Sequence, residues 1–221
     1  MENETLVGPA ARKRGRPVGA DSGQTRRTIQ RAARDLIAER GYHAATFQQI
    51  AQRAGVSRPT LHYYFPTREG LYAALLADIR DRVAECATAA VGAGSLRRQL
   101  AAFTAELQRL GAAEPALMKM VVTARIDHHR GVHRHEAATE IVSAVHAFYD
   151  TVVVDAVGRG ELAPDTDVRA VADLLAALFW GLGFHAGFIM ADGDASGVAK
   201  QLLRLLGHGL LAEPSDTTLG A

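Results

Sequence analysis

Cysteine occurs once in the 221 residues, as Cys86, so no intramolecular disulfide can form, and no paired Cys/His spacing of the zinc-finger kind is present. This excludes a secreted, disulfide-held domain and makes a reducing compartment the expectation. Aromatic residues are scarce at 6%, beside 48% apolar and 22% charged residues, which suits an ordinary globular body and neither a disordered nor a collagenous chain. Long apolar runs are missing as well. The most apolar window, Leu174 to Met190, is interrupted by Gly181, Gly183, His185 and Gly187 and falls short of the roughly 20 apolar residues of a bilayer span. It is expected to be a buried helix of a cytoplasmic protein with no membrane partner. The segment Met1 to Ala20 carries basic residues but no apolar stretch of the secretory-signal kind.

Enzyme signatures are also lacking. There is no Gly-x-Ser-x-Gly, no phosphate-binding glycine loop after a strand, and no Cys/His arrangement that would place a base beside Cys86. Gly92-Ala-Gly94 and Gly181-Leu-Gly183 are too short to mark a nucleotide site. Neither catalysis nor a cofactor is expected.

What is present is a charge asymmetry hidden by a formal net charge of +1. Residues 1–65 hold 11 Lys/Arg against 5 Asp/Glu, whereas residues 66–221 hold 14 against 19. A basic N-terminal third joined to an acidic remainder fits a chain with one end on a polyanion and the other on a different task. Arg12, Lys13, Arg14 and Arg16 lie in a short Gly/Pro-broken stretch unable to fold alone, read as a flexible basic arm over residues 1–22 that reaches into a minor groove. A solvated tail that only aids solubility is the alternative.

Nearly every apolar pattern has helical period and no hairpin signal appears, so an all-α chain of about nine helices is expected. A first helix runs from about Gly23 to Arg40. Thr46-Phe-Gln-Gln49 reads as a capping box opening a second, which Gly55 ends at once. Ser57 is an N-cap for a third, with Pro59 in its first turn, and Thr67 opens a fourth. Two short helices separated by Gly55-Val56-Ser57 form a helix-turn-helix unit over about residues 46–65. Five longer helices follow: Leu96 to Gly111, one from near Pro115, one around Ile141 to Val152, one capped by Asp165 or Asp167, and one capped by Asp194 or Ser196. The domain division is 23–83 for the helix-turn-helix head, 84–212 for a larger helical domain, and a disordered tail at 213–221.

With the third helix in a major groove, its first turn offers Arg58, Pro59 and Thr60 to base edges, Arg58 being able to pair bidentately with guanine. His62, Tyr63 and Tyr64 are polar-tipped rings too clustered all to be core, and Thr46 and Arg68 sit near helix starts; all are candidates to hold phosphates. One of the two tyrosine rings packed against the fourth helix is an equal reading. Phe47, Ile50, Leu61 and Phe65 make the small core.

The stretch from Thr46 to Leu71, with Ile50-Ala51, Ala54-Gly-Val-Ser57 and the aromatic run His62 to Phe65, resembles the DNA-binding domain of the tetracycline-repressor (TetR) family of bacterial transcription regulators. The likeness extends back over Ile29, Ala32, Ala33, Leu36 and Gly41-Tyr42 and covers about residues 24–83. It implies that Arg58, Pro59 and Thr60 contact bases and that Thr46, Tyr63, Tyr64 and Arg68 contact phosphates. His62 and Pro59 depart from the tyrosine and small residue common there, so the operator does not transfer. The resemblance further implies a ligand-binding, dimerising C-terminal domain, and hence a homodimeric repressor on a palindromic double-stranded operator, released by a largely apolar small-molecule effector.

A pocket is sought between the fifth and eighth helices, at Phe103, Leu107, Met118, Val122, Phe148, Trp180, Phe184 and His185, although each can equally be plain core. The run Asp127 to Glu136 holds four histidines, but Gly131 interrupts it and Arg130 and Arg134 repel a cation; a solvated, pH-sensitive loop is expected and a metal site is not. Two other classes stay open: a ligand-free architectural DNA-binding protein whose C-terminal domain only dimerises or docks a protein, and an enzyme using an apolar C-terminal cavity.

Overall fold

The helical periodicity is realised as an all-α chain. A computed structural model describes residues 18–129, 136–190 and 196–208, and among these there are nine α-helices and no strand. They are α1 (Val18–Arg40), α2 (Phe47–Ala54), α3 (Arg58–Tyr64), α4 (Arg68–Val91), α5 (Leu96–Ala113), α6 (Pro115–His129), α7 (Glu136–Gly158), α8 (Val168–Phe184) and α9 (Ser196–His208), with a π-helical turn, His185–Ile189, continuing α8. The basic residues Arg12, Lys13, Arg14 and Arg16, the segment 130–135 with most of the histidine run, Asp194 and the tail 213–221 lie outside the described residues.

Local chemistry explains the boundaries. The Thr46 capping box closes on both sides, with Gln49 N–H on the Thr46 hydroxyl and the Gln49 side chain on the Thr46 backbone. Gly55 then takes φ 66°, a left-handed conformation that favours glycine, and turns the chain within one residue. Ser57, Thr67, Ser95 and Asp167 each accept a backbone N–H at the start of a helix.

Three boundaries differ from the sequence reading. The first helix starts at Val18 and takes in residues read as arm, because Gly19 and Gly23 are tolerated in a helix where Pro17 is not. Helix α5 runs through Gly111 to Ala113, and α6 carries the first histidines as far as His129.

The head is a three-helix unit whose core is Ile29, Ala33, Leu36, Phe47, Ile50, Leu61 and Phe65, all buried. Leu71 and Tyr72 of α4 complete that core, while Val83, Cys86 and Ala90 further along the same helix are buried in the larger body. Helix α4 packs on α5 and α7, and α1 also rests on α6, so head and body share one continuous core. Helix α7 occupies the centre of the body, with Val145, Val152 and Val153 at zero exposure.

Helix α8 corrects the expectation of a buried helix. One face buries Ala172, Leu175, Ala176 and Phe179 at helical spacing, while Leu174, Phe184, Phe188 and Ile189 are left exposed, so a single chain covers only one face. Ala138–Gly158 and Val168–Ile189 are in fact long and apolar enough to span a bilayer by length and composition, yet both are elements of the bundle.

Candidate nucleic-acid interface and ligand cavity

Helix α3 is held from behind and open in front. Leu61 is fully buried and Phe65, its C-cap, is nearly so, while Arg58, Pro59, His62 and Tyr63 face outward, Tyr63 with 81% of its surface exposed. The cap of α3 is tight: the Ser57 hydroxyl accepts the Thr60 N–H at 3.1 Å and meets the Thr60 hydroxyl at 2.7 Å. Thr60 is therefore half-buried and oriented by Ser57. Pro59 falls in the first turn, where a missing N–H removes no intrahelical bond.

Among the basic side chains around α3 a division is visible. Arg53 is bidentate to Glu39 at 2.6 and 2.8 Å, which also holds the Glu39 carboxyl below its ordinary range. Arg68 donates to the Tyr42 carbonyl at 2.5 Å and stacks over the Tyr42 ring at 4.8 Å. Arg26 stacks over Phe65 at 4.4 Å and donates to the Tyr64 carbonyl at 3.3 Å, so it braces the far end of α3. Arg58 is exposed and makes no ion pair among the described residues, which leaves its five donors available.

The aromatic cluster sorts in the same way. Tyr64 is half-buried against the core, and its ring meets Tyr63 edge-on at 5.2 Å; His62 sits edge-on to Phe47 at 5.0 Å yet remains exposed. The reading in which one tyrosine packs inward thus falls on Tyr64, with Tyr63 projecting. The Thr46 hydroxyl is engaged by Gln49 on both sides, at 2.9 and 3.3 Å, while staying exposed at the start of α2. Thr46, Arg58, Pro59, His62 and Tyr63 are all exposed on the head, and Thr60 and Arg68 are half-buried. Arg26 was missed by sequence reasoning, since nothing in its own neighbourhood shows that it stacks on a residue in another helix.

In the body, a cavity of about 340 Å³ lies between α5, α6, α8 and α9. One stripe of α5, Leu100, Thr104, Leu107, Gln108 and Gly111, forms a wall at helical spacing; Leu175, Phe179, Leu182 and Gly183 of α8 and Leu202, Leu203 and Leu206 of α9 form others. Tyr149 enters from α7 and Met118 from α6.

Of the pocket residues expected from sequence, only Leu107 and Met118 line this space. Phe103, Val122 and Phe148 are packed core, the Phe103 and Phe148 rings being 4.2 Å apart. Trp180 is half-buried edge-on to Phe179 at 5.0 Å. Phe184 is exposed and stacks on Phe188 at 5.4 Å, and His185 opens the π-helical turn. The missed signal was the polar interruption of an apolar stripe: Thr104 and Gln108, one turn apart, mark the side of α5 that faces space instead of packed side chains. The cavity also extends to α9, outside the span in which it was sought.

Met118 reaches the cavity because α8 comes close to α6 at a glycine. A Cβ on Gly183 would lie 3.1 Å from the Met118 methyl and 3.5 Å from Val122, and one on Gly187 would lie 3.5 Å from the Lys119 backbone nitrogen. Gly187 falls within the π-helical turn, a device frequent at functional sites. Among the described residues no cluster of histidine, cysteine or carboxylate side chains could hold a metal ion. Cys86 is buried, and burial pushes its thiol up, away from the reactive thiolate.

Comparison with known proteins agrees with the head. The family described as bacterial regulatory proteins, tetR family, matches residues 29–75. The HTH-type transcriptional regulator RutR of Escherichia coli (strain K12) is 44% identical over 69 residues, covering 31% of this chain and 31% of its own. The HTH-type transcriptional activator FasR of Mycolicibacterium smegmatis is 36% identical over 90 residues, covering 41% of this chain and 37% of its own. The chain thus matches only about a third of the length of these relatives. Among solved structures, the transcriptional regulator FadR from Bacillus subtilis in complex with stearoyl-CoA superposes with a TM-score of 0.69 at 21% identity, over 84% of this chain and 99% of that one, and so shares the fold.

Proposed function

We propose that this chain, which belongs to the TetR family of bacterial regulatory proteins and is a DNA-binding transcription regulator, acts as a homodimeric repressor that leaves a palindromic operator when a small molecule fills its cavity. The observation that carries the DNA side of this reading is Arg58: an exposed guanidinium with no ion pair among the described residues, on the first turn of a helix fixed by its own cap and by a left-handed glycine. An α-helix fits a major groove, and an unengaged arginine there reads guanine bidentately. Pro59, Thr60 and His62 complete the base-facing edge; Thr46, Tyr63, Tyr64 and Arg68 are assigned to phosphates, and Arg12, Lys13, Arg14 and Arg16 to the minor groove.

Residues 23–83 form the head and residues 84–212 the ligand-binding and dimerising domain. The exposed stripe of Leu174, Phe184, Phe188 and Ile189 supplies an apolar surface for a second copy. Two heads related by a two-fold axis then read two half-sites on one DNA face. The effector is largely apolar, as the cavity lining is, and the FadR neighbour of the same fold holds stearoyl-CoA. It binds the conformation in which the two heads are mis-spaced for the operator, and its differential affinity sets the extent of the shift. Helix α4, which takes part in the cores of both head and body, is the lever. Such a protein works in the cytoplasm, where its DNA is.

The test is selection of bound duplexes from a random-sequence pool by the full chain, followed by titration of the selected site with wild type and Arg58→Ala. A two-fold symmetric consensus that Arg58→Ala binds at least tenfold more weakly is expected. Recovery of no consensus, or unchanged affinity and specificity in Arg58→Ala, would refute this placement of the recognition helix.

A further inference from the structure

The cavity is apolar, but one of its walls carries a hydroxyl with no partner. Tyr149 is 5% exposed, and it is the sole α7 residue among those lining the cavity. Its ring is locked by Phe148 at 5.2 Å and Phe103 at 5.9 Å, and its phenol makes no hydrogen bond among the described residues. The other polar groups of the lining differ. The Thr104 hydroxyl is already committed to the Leu100 carbonyl at 2.8 Å, whereas the Gln108 carboxamide is half-buried beside Leu107 and likewise has no hydrogen bond among the described residues. A polar group that opens on a cavity and has no partner on the chain is left to be satisfied by whatever fills that space, so the two groups point to an occupant that bonds to them.

No charged side chain is among the lining residues. An ion placed there would lose its hydration and meet no countercharge. Burial also pushes the Tyr149 pKa above the ordinary phenol range, so the group keeps its proton and offers an O–H donor towards the cavity. An acceptor oxygen on the ligand satisfies that donor, and the Gln108 amide N–H as well.

We infer that the cavity takes an uncharged, mainly apolar molecule with one acceptor oxygen, such as a ketone, ester or alcohol, anchored by the Tyr149 phenol and seconded by the Gln108 amide. This rests on the ligand-responsive reading above and narrows it. Hydrophobic contact with the leucines of α5, α8 and α9 supplies affinity, and the single hydrogen bond fixes which end of the molecule lies against α7. An isostere without the oxygen fills the same space but leaves the phenol unsatisfied, which is how one hydroxyl discriminates between ligands of equal size.

The experiment is calorimetric titration of the full chain with 2-decanone, 1-decene and decanoate, on wild type, Tyr149→Phe and Gln108→Leu, with operator binding measured on the same preparations. Wild type should prefer the ketone to the alkene, and Tyr149→Phe should weaken the ketone about tenfold while leaving the alkene unchanged. Tyr149→Phe removes only an unpartnered hydroxyl, so it should melt no lower than wild type; if it does not fold, the Gln108→Leu arm must show the same selective loss, smaller in size. Decanoate binding tighter than the ketone, or equal ketone affinity in wild type and both variants, overturns the inference while the ligand-responsive reading stands. Binding of none of the three also overturns it. Release of operator by a different compound, or its failure, then decides the broader reading separately.

Discussion

Arg34 of α1 and Glu114 at the corner between α5 and α6 are ion-paired, and the pair ties the DNA-binding head to the rim of the cavity. Arg34 also holds Asp78 of α4 at 2.7 Å, and Arg82 closes the ring, 3.2 Å from Asp78 and 2.5 Å from Glu114. The Arg34 side chain is only 5% exposed, and its Nε has no partner. Burial pulls its guanidinium pKa down, an effect that Asp78 counters. Glu114 immediately precedes Pro115 and lies two residues after Ala112, both of which line the cavity. The corner between α5 and α6 is thereby tied to α1 through Arg34 and to α4 through Arg82.

From this ring follows a first prediction. Arg34→Met should lower stability by about 2 kcal/mol, less than the loss of one partner in a fully buried pair, because the carboxylates are partly solvated and retain Arg82. Glu114→Gln should cost about 1 kcal/mol. Since the two residues touch, a double-mutant cycle by urea denaturation should return a coupling above about 0.5 kcal/mol. Strict additivity would mean that the ring is not an energetic unit.

Tyr63 and Arg58 sit on one helix but should fail differently. Tyr63 is the more exposed ring and buries almost nothing, so Tyr63→Ala should alter stability by less than about 0.5 kcal/mol. As a neutral phosphate contact it should weaken binding about fivefold for every duplex alike and leave the salt slope unchanged. Arg58→Ala should instead relax discrimination at one base position. Competition binding against single-base operator variants separates the two, and a Tyr63→Ala protein with altered base preference would contradict the assignment.

Most of the head was legible because its signals are local. A capping box, a left-handed glycine and a serine cap all act within four residues, and the side chains read as core there are buried. The cavity was hard to read for the opposite reason. Whether Phe103 or Leu107 faces empty space depends on where α8 and α9 cross α5, a tertiary fact with no trace in the α5 sequence except the polar pair Thr104 and Gln108. Phe184 was misplaced because the apolar character of α8 extends all round the helix, and composition alone does not say which face a single chain leaves uncovered. The extent of α1 was misjudged because glycine, unlike proline, only weakens a helix.

The close approach of α8 to α6 yields a third prediction. A methyl on Gly183 would lie 3.1 Å from the Met118 terminal methyl, a contact tight enough that the methionine, which is flexible, must give way. Its nearest free space is the cavity that it already lines. Gly183→Ala should therefore fold, gain helix propensity that offsets the clash to within about 1 kcal/mol, and lose ligand capacity. The check is the ligand-induced rise in Tm, expected to fall by at least half relative to wild type. An undiminished rise would place Met118 elsewhere.

The exposed stripe of α8 carries the last prediction. Leu174, Ala177, Gly181, Phe184 and Phe188 recur at helical spacing on the exposed side of α8, and Phe184 stacks on Phe188, so the large apolar end of the patch crosses the join between the α-helix and the π-helical turn. Isolated apolar residues on a surface are ordinary, whereas a row of this kind marks an interaction site. In a two-fold dimer each substitution acts twice, once in each copy. A carboxylate at the centre of such an interface is desolvated next to its own symmetry mate, so Phe184→Glu should shift the dimer to monomer by sedimentation velocity at micromolar concentration. The monomer should keep its fold, because Phe184 is exposed in the single chain and contributes little to the core. Operator affinity should drop far more than the monomer's stability, since half-site binding loses the gain of two linked heads. A Phe184→Glu protein that still sediments as a dimer would move the interface off α8, and with it the spacing of the heads.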